Sequence, residues 1–297
     1  MINKLKRIDL KTNYISTMNI KYNQSLTQYN TFKVNVNAEY FVNIKTEKDL
    51  VKLLNQKEVK KTKKFILGGG SNILFTKDIK GLVIYNQIKG IKIEHETDDD
   101  ITIEVGAGEI WDDLVKWSVS QELYGIENLS LIPGQVGAAP IQNIGAYGVE
   151  LKDVFKELRA ISLTTNKLQK FNHKDCQFGY RNSIFKKQLK EQYIITKIKI
   201  NLSKKPKFNT NYKSLQEKTK SMDPNQLTSQ KIREIIINIR NSKLPNPKNL
   251  GNAGSFFKNP MVNIKKLQQL KEIYPKIPFF QTDKNIKIAA AWLIEQL

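Results

Sequence analysis

The chain has 297 residues, 40% of them hydrophobic, enough for a substantial core in roughly one to three domains. Its net charge of +21 invites a nucleic-acid reading, yet only five of the 49 basic residues are Arg, the side chain that reads phosphates and bases bidentately. The lysines are scattered apart from Lys60-Lys61 and Lys63-Lys64, so solvated faces are expected rather than a nucleic-acid or membrane surface. Such a field still speeds the arrival of an anionic substrate or cofactor. No run approaches the roughly eighteen apolar residues of a membrane span. The lone cysteine, Cys176, excludes an intramolecular disulfide and fits a reducing compartment. The basic N-terminus lacks the apolar centre of a signal peptide, so a cytoplasmic location is expected. His95 and His173 stand far apart with no acidic or thiol cluster, and no metal site is expected.

Residues 1–23 are polar, rich in Lys and Asn and without useful periodicity, and read as a disordered extension. Glu47–Asn55 reads as a helix that can bury Leu50, Val51, Leu53 and Leu54. Phe65–Leu67 reads as a short buried strand, followed by the turn Gly68-Gly69-Gly70-Ser71-Asn72 and a second strand, Ile73–Phe75. Strand, glycine turn, strand is a phosphate-cradle pattern and equally a tight hairpin. No helix-opening GxGxxG is present, and no Gly-Lys-Ser/Thr follows, so neither the dinucleotide fingerprint nor the Walker loop applies. Residues 94–100 read as a charged hairpin tip. Ile101, Ile103 and Val105 alternate in a strand that ends in Gly106-Ala107-Gly108. Asp112 and Asp113 then lead into a helix, Leu114–Gln121.

The stretch 131–148, LIPGQVGAAPIQNIGAYG, is uncharged and holds four glycines and two prolines, which no helix accepts. Gln135, Gln142 and Asn143 offer neutral donors and acceptors, and the small residues let backbone N–H groups approach a ligand. Further strands are expected at Leu158–Leu163 and Tyr193–Ile200. After Pro206 the pattern changes. Asp223-Pro224 precedes a helix, Gln230–Asn241, with Ile232, Ile235, Ile236 and Ile239 on one side. A Pro- and Asn-rich linker follows, then helices at Ile264–Ile273 and Ile286–Gln296. No internal repeat or coiled coil is present.

Several ordered blocks together carry a resemblance. They are Asn30-Thr31-Phe32, LGGGSNILF (67–75), VGAGEIW (105–111) and IENLSLIPGQVGAAPIQNIGAYGVEL (126–151), then CQFGYRNSIFK (176–186), KLPNPKNLGNAGSFFKNP (243–260) and AAAWLIEQ (289–296). Over residues 24 to 297 the chain closely resembles the UDP-N-acetylenolpyruvoylglucosamine reductases, flavoenzymes of peptidoglycan precursor synthesis. The resemblance implies an α+β fold. An FAD-binding domain of the vanillyl-alcohol-oxidase-like (PCMH) type would cover 24–205, and a substrate-binding domain 206–297. It also implies FAD as cofactor, NADPH as hydride source and a UDP-sugar enolpyruvyl ether as substrate. No partner protein is readable.

The implied roles map onto this sequence residue by residue. Ser255, in the GSFF block, matches the family's proton donor, and Arg181 matches its catalytic arginine. A guanidinium fork suits the enolpyruvyl carboxylate and the enolate that hydride addition creates. A serine hydroxyl can protonate a strongly basic carbanion in a dry site. FAD contacts would come from Gly68, Gly69, Gly70, Ser71, Asn72, Gly106, Gly108, Pro133, Gly134, Gly137, Gln142, Asn143, Gly145 and Tyr147. Tyr180, Tyr212, Lys243 and Asn259 match substrate-binding positions.

The family pattern runs on past AAAWLIEQ and holds a third catalytic residue, a glutamate. That residue has no counterpart up to Leu297, and Glu295 does not take its role. The expectation is therefore a truncated substrate domain, with FAD binding intact and substrate reduction weak or absent. Two rival readings stay open at this point. One is a related FAD-dependent oxidase, and the other is an FAD-binding remnant without catalysis.

Overall fold

The computed structural model describes residues 19–223, 226–281 and 285–297. They form two compact units, divided between Ala253 and Gly254. The polar extension expected at 1–23 falls mostly outside the described residues, but Lys21–Asn23 are already in a paired strand.

The first unit opens with β1 (Lys21–Ser25), β2 (Asn37–Ile44), helices α1 (Glu47–Leu54) and α2 (Lys57–Lys61), β3 (Lys64–Leu67) and β4 (Ile79–Asn86). The sheet order is β1-β2-β4-β3, with β1 antiparallel to β2 and the other two pairs parallel. Helix α1 starts where the Thr46 hydroxyl accepts from the Asp49 N–H. It buries Leu50, Leu53 and Leu54 against Val42, Ile44, Leu82 and Ile84. On the other face Leu26, Ala38, Phe41, Leu67, Phe75 and Val83 form a second cluster. The strand expected at Ile73–Phe75 is absent. Because β3 and β4 are parallel, the chain between them must cross back rather than form a hairpin. Within that crossing Phe75 is buried and Leu74 is exposed.

A five-stranded antiparallel sheet follows. Its strands are β5 (Ile91–Glu96), β6 (Asp100–Gly106), β9 (Phe155–Ser162), β10 (Leu168–Asn172) and β11 (Tyr193–Ser203), in the order β10-β9-β11-β6-β5. Between them lie α3 (Trp111–Ser120), a ribbon of β7 (Gly145–Ala146) and β8 (Val149–Glu150), and a single turn, α4 (His173–Cys176). The apolar face, including Ile103, Val105, Leu158, Ile198 and Ile200, packs on Trp111, Leu114 and Val115 of α3. The opposite face is charged. Lys197 and Lys199 reach Glu104 at 2.6 and 3.9 Å, and Arg159 ties Glu47 of α1 to the sheet.

Residues 206–253 stay within the first unit, so the break in compactness is not at the expected 205/206 boundary. Their α5 (Lys213–Thr219) and α6 (Ser229–Lys243) bury Leu215, Ile232 and Ile236 with Phe208, Tyr212 and Leu227. Helix α6 also packs on α3 and on the short turn at Glu127–Leu129. Pro224 lies outside the described residues.

The second unit holds β12 (Met261–Val262), α7 (Ile264–Ile273), β13 (Phe279–Gln281), β14 (Ile286–Ile288) and α8 (Ala290–Glu295). The three strands are antiparallel in the order β12-β14-β13. The expected helix at Ile286–Gln296 is therefore corrected. Ile286 and Ile288 alternate inward as a central strand, and the helix begins only at Ala290.

Candidate active site

The three glycine-rich segments meet. At the end of β3, Gly70 has φ +61°, and a Cβ there would overlap the Tyr29 carbonyl. The Thr31 N–H donates to the Gly70 carbonyl at 3.1 Å. A Cβ on Gly69 would lie 3.1 Å from the Gly134 Cα, and one on Gly134 would lie 2.9 Å from the Ser71 Oγ. Asn72 donates to the Gln142 Oε1 at 3.3 Å. The third segment joins through backbone bonds. Trp111 N–H donates to the Gly134 carbonyl (3.0 Å), Val136 to Glu109 (2.9 Å) and Gly137 to Ala107 (2.9 Å). Gly106 and Gly108 face protein, not open space, since a Cβ on either would strike backbone at Gln87–Ile88. Their smallness permits that crossing of chains.

Gly68, Gly69 and Ser71 thus close against Gly134 and Gln135 as a narrow cradle that Asn72 extends to Gln142, while Gly137 faces Ala107. The cradle carries backbone N–H groups and neutral amides. Gln135, 5% exposed, donates to the Gly108 carbonyl at 3.3 Å, while its Oε1 is buried without a hydrogen-bond partner. A cradle that side chains would fill, with a buried acceptor left over, fits a cofactor such as FAD that brings both a diphosphate and hydroxyl donors.

Asn143 is fully buried at φ +45°. Its amide donates to Glu150 Oε2 (2.9 Å) and the Gly179 carbonyl (3.2 Å), and its Oδ1 accepts from the Lys152 N–H (3.0 Å). That side chain is committed within the protein, so it braces the loop and leaves no donor for a ligand. The brace sets the next element, because Gly179 and Asn182 exchange two backbone bonds of 3.0 Å and hold Arg181 at φ +50°. The Ser183 Oγ donates to the Ile141 carbonyl at 2.7 Å and pins this turn to the glycine-rich loop. The Arg181 guanidinium donates to the Gly145 carbonyl and lies 5.4 Å from the Tyr180 ring centroid. A Cβ on Gly145 would come within 2.9 Å of the Arg181 Nη1, so glycine there admits the guanidinium.

Tyr147, at φ +48°, stacks edge-on against Tyr212 with centroids 5.3 Å apart. Asn128 holds that pairing by donating to the carbonyls of Tyr147 and Asn209, both at 2.8 Å. Burial raises the pKa of the Tyr147 hydroxyl, an effect the charge of Arg240 on α6 only partly offsets. Arg233 of α6 grips Asp112 with two bonds of 2.6 and 2.9 Å, and the Leu131 N–H donates to the same carboxylate at 2.5 Å. Burial would raise the Asp112 pKa, but Arg233 and that N–H outweigh it and hold the group low. Glu127, 2% exposed, is pushed up by burial, which the Gly125 N–H only partly offsets.

Lys243 ends α6 with an exposed side chain. On the second unit Ser255 is exposed just after Gly254, which has φ +72°. Asn259 accepts from the Ala290 N–H at 2.9 Å at the start of α8. Among the described residues no group of three His, Cys, Asp or Glu is arranged to hold a metal ion, and no helix is long and apolar enough to cross a membrane.

A family model described as an FAD binding domain matches residues 38–171. The UDP-N-acetylenolpyruvoylglucosamine reductase of Amoebophilus asiaticus is 48% identical over 280 residues, 94% of this chain and 83% of that protein. That of Flavobacterium johnsoniae is 44% identical over 281 residues, again 94% and 83%. The chain belongs to the UDP-N-acetylenolpyruvoylglucosamine reductase family. A solved reductase structure from Thermus caldophilus, 19% identical, superposes with a TM-score of 0.60 over 92% of this chain and 87% of that one. It shows the shared fold. As a member of this reductase family with an FAD binding domain, the chain is an FAD-containing oxidoreductase of α+β class.

Sequence reasoning missed Asn128, Glu127, Asp112 and Arg233 as parts of this site, although it singled out Gln135. One signal was available. In a chain that uses Lys almost everywhere, Arg159, Arg181 and Arg233 each sit in a partly or fully buried contact.

Proposed function

We propose that the chain catalyses NADPH-dependent reduction of UDP-N-acetylglucosamine enolpyruvate to UDP-N-acetylmuramate, in cytoplasmic synthesis of peptidoglycan precursors. The observation that carries the reading is Arg181. A left-handed residue braced through Gly179, Asn182 and Ser183 presents a guanidinium whose hydrogen bond goes to a carbonyl rather than a carboxylate. A strained, over-determined cation beside the glycine cradle is what an anionic substrate requires.

The cradle of Gly68–Asn72 and Pro133–Gly148 holds FAD in this reading, with Gly106 and Gly108 supporting it from behind. FAD, when bound, supplies hydride exchange between NADPH and the vinyl carbon of the substrate. Arg181 fixes the enolpyruvyl carboxylate and stabilises the charge that develops on it. Ser255 gives the proton that completes the new C–H bond at the neighbouring carbon. Tyr180, Tyr212, Lys243 and the amide of Asn259 hold the UDP-sugar.

The test is anaerobic. The FAD-loaded protein is bleached with NADPH, the enolpyruvyl substrate is added, and the yellow absorbance is followed. Recovery that depends on the substrate is expected. Bleaching with no recovery at any substrate concentration would refute the substrate assignment. Arg181→Lys should fold normally yet lose about 100-fold or more in the recovery rate, the scale of removing one preorganised donor.

A further inference from the structure

The loop 131–148 opens on a strained residue. Leu131 has φ +58°, a left-handed conformation in which any side chain crowds the backbone. Leucine has no polar atom with which to offset that crowding, as Asn or Asp would. Such a conformation persists only where the surroundings over-determine it. The first two residues of α3 do so. Asp112 Oδ1 accepts from the Leu131 N–H at 2.5 Å. Trp111 donates its backbone N–H to the Gly134 carbonyl at 3.0 Å and its indole N–H to the Leu129 carbonyl at 3.1 Å. The start of α3 therefore grips the chain at 129, 131 and 134. Gly134 is the residue that closes on Gly69 and Ser71. Rotating Leu131 back to negative φ would carry Gly134 away from the 68–72 turn.

The carboxylate is itself held. An acidic side chain in the first turn of a helix can serve the free N–H groups there. Asp112 is turned outward instead by Arg233 of α6, which donates from Nη1 to Oδ1 at 2.6 Å and from Nη2 to Oδ2 at 2.9 Å. Two parallel bonds from a planar fork fix the plane of the carboxylate as well as its position. Arg233 is only 7% exposed, so that orientation is set by a buried partner 121 residues away.

We propose that Asp112 is a positioning residue for the flavin: its carboxylate, aligned by Arg233, keeps Leu131 left-handed and so keeps the loop 131–148 closed on the 68–72 turn. The inference rests on the reading of that cradle as the FAD site. Asp112 acts through the Leu131 N–H and the placement of Gly134, not by touching the cofactor. Its two tasks are separable, because Leu131 needs an oxygen acceptor and Arg233 needs a charge.

Asp112→Asn keeps the acceptor and removes the charge, while Asp112→Ala removes both. FAD dissociation constants are measured on the full flavin-free chain, below every unfolding transition, beside melting temperatures of the ligand-free proteins. Both variants strand Arg233, so both should melt lower than wild type. Asp112→Asn should still hold FAD within about threefold of wild type. Asp112→Ala should weaken it about 10- to 100-fold, the scale of a lost charge-assisted hydrogen bond. Adding Leu131→Gly to Asp112→Ala should restore most of that affinity, because glycine adopts the left-handed conformation without crowding. Asp112→Leu, similar in shape and equally without an acceptor, takes the place of the alanine variant if that does not fold.

FAD affinity falling in step with melting temperature in both variants would overturn the proposal and leave the ion pair a matter of stability alone. So would an Asp112→Ala affinity within about twofold of wild type, or a double variant that binds no better than Asp112→Ala. Gly69→Val fills the cradle itself and should abolish FAD binding. Unaltered binding in Gly69→Val would sink the cradle reading and this inference with it. Lost binding there, with Asp112→Ala indifferent, would sink this inference alone.

Discussion

Two carboxylates show how burial and partners set opposite signs at single residues. Glu127 is buried without a cation, and its pKa lies above the ordinary value. Its stabilising contribution is complete below the unfolded pKa of about 4 and is lost as pH rises through the folded value. Glu127→Gln keeps an acceptor for the Gly125 N–H and should raise the melting temperature at pH 8, with the gain over wild type closing as pH falls toward about 4. A pH-independent difference would contradict this. Asp112 runs the other way. Its contribution is present above the unfolded pKa and lost as pH falls through the depressed folded one. Asp112→Asn strands the buried Arg233 and should cost about 3 kcal/mol in denaturant unfolding at neutral pH.

Helix α6 decides more than its sequence announces. Its apolar stripe, Ile232, Ile236 and Ile239, is legible from the 3.6-residue period, and the structure extends the expected helix by one residue before and two after. What the period cannot give is the surface it meets. Here that surface is α3 and the Glu127–Leu129 turn, which is why residues 206–253 stay in the first unit. Ile236→Ala should cost about 2–4 kcal/mol, read by urea unfolding of the full chain, and should weaken the Tyr147–Tyr212 stacking cluster it joins. A loss below about 1 kcal/mol would mean that the cluster refills the space. The two mistaken elements, 73–75 and 286–288, fail for one reason. Short apolar runs suit strand, loop and buried helix alike, and partners elsewhere in the chain choose among them.

At the scale of the whole molecule the chain carries a net charge of +21. Its consequence is kinetic. FAD and the proposed UDP-sugar are anions, so their association rates should fall as NaCl rises from about 20 to 500 mM, while dissociation rates change little. Stopped-flow binding checks this, and a salt-independent association rate would remove any steering role. The pairs of Glu104 with Lys197 and of Arg159 with Glu47 are neutral, so the excess charge resides on other basic side chains.

The sequence by itself determined the family and the glycine segments, because long ordered motifs survive whatever the fold does with them. It also determined α1, α3, α6 and α7, whose period is local. Only tertiary structure decided that Gly106 and Gly108 are small for chain crossing, or that Asn143 braces rather than binds. The same holds for Arg233, which Asp112 neutralises. Each of those outcomes depends on a partner far away in sequence. A residue's type gives its chemistry, but burial and the distance to an opposing group give its role.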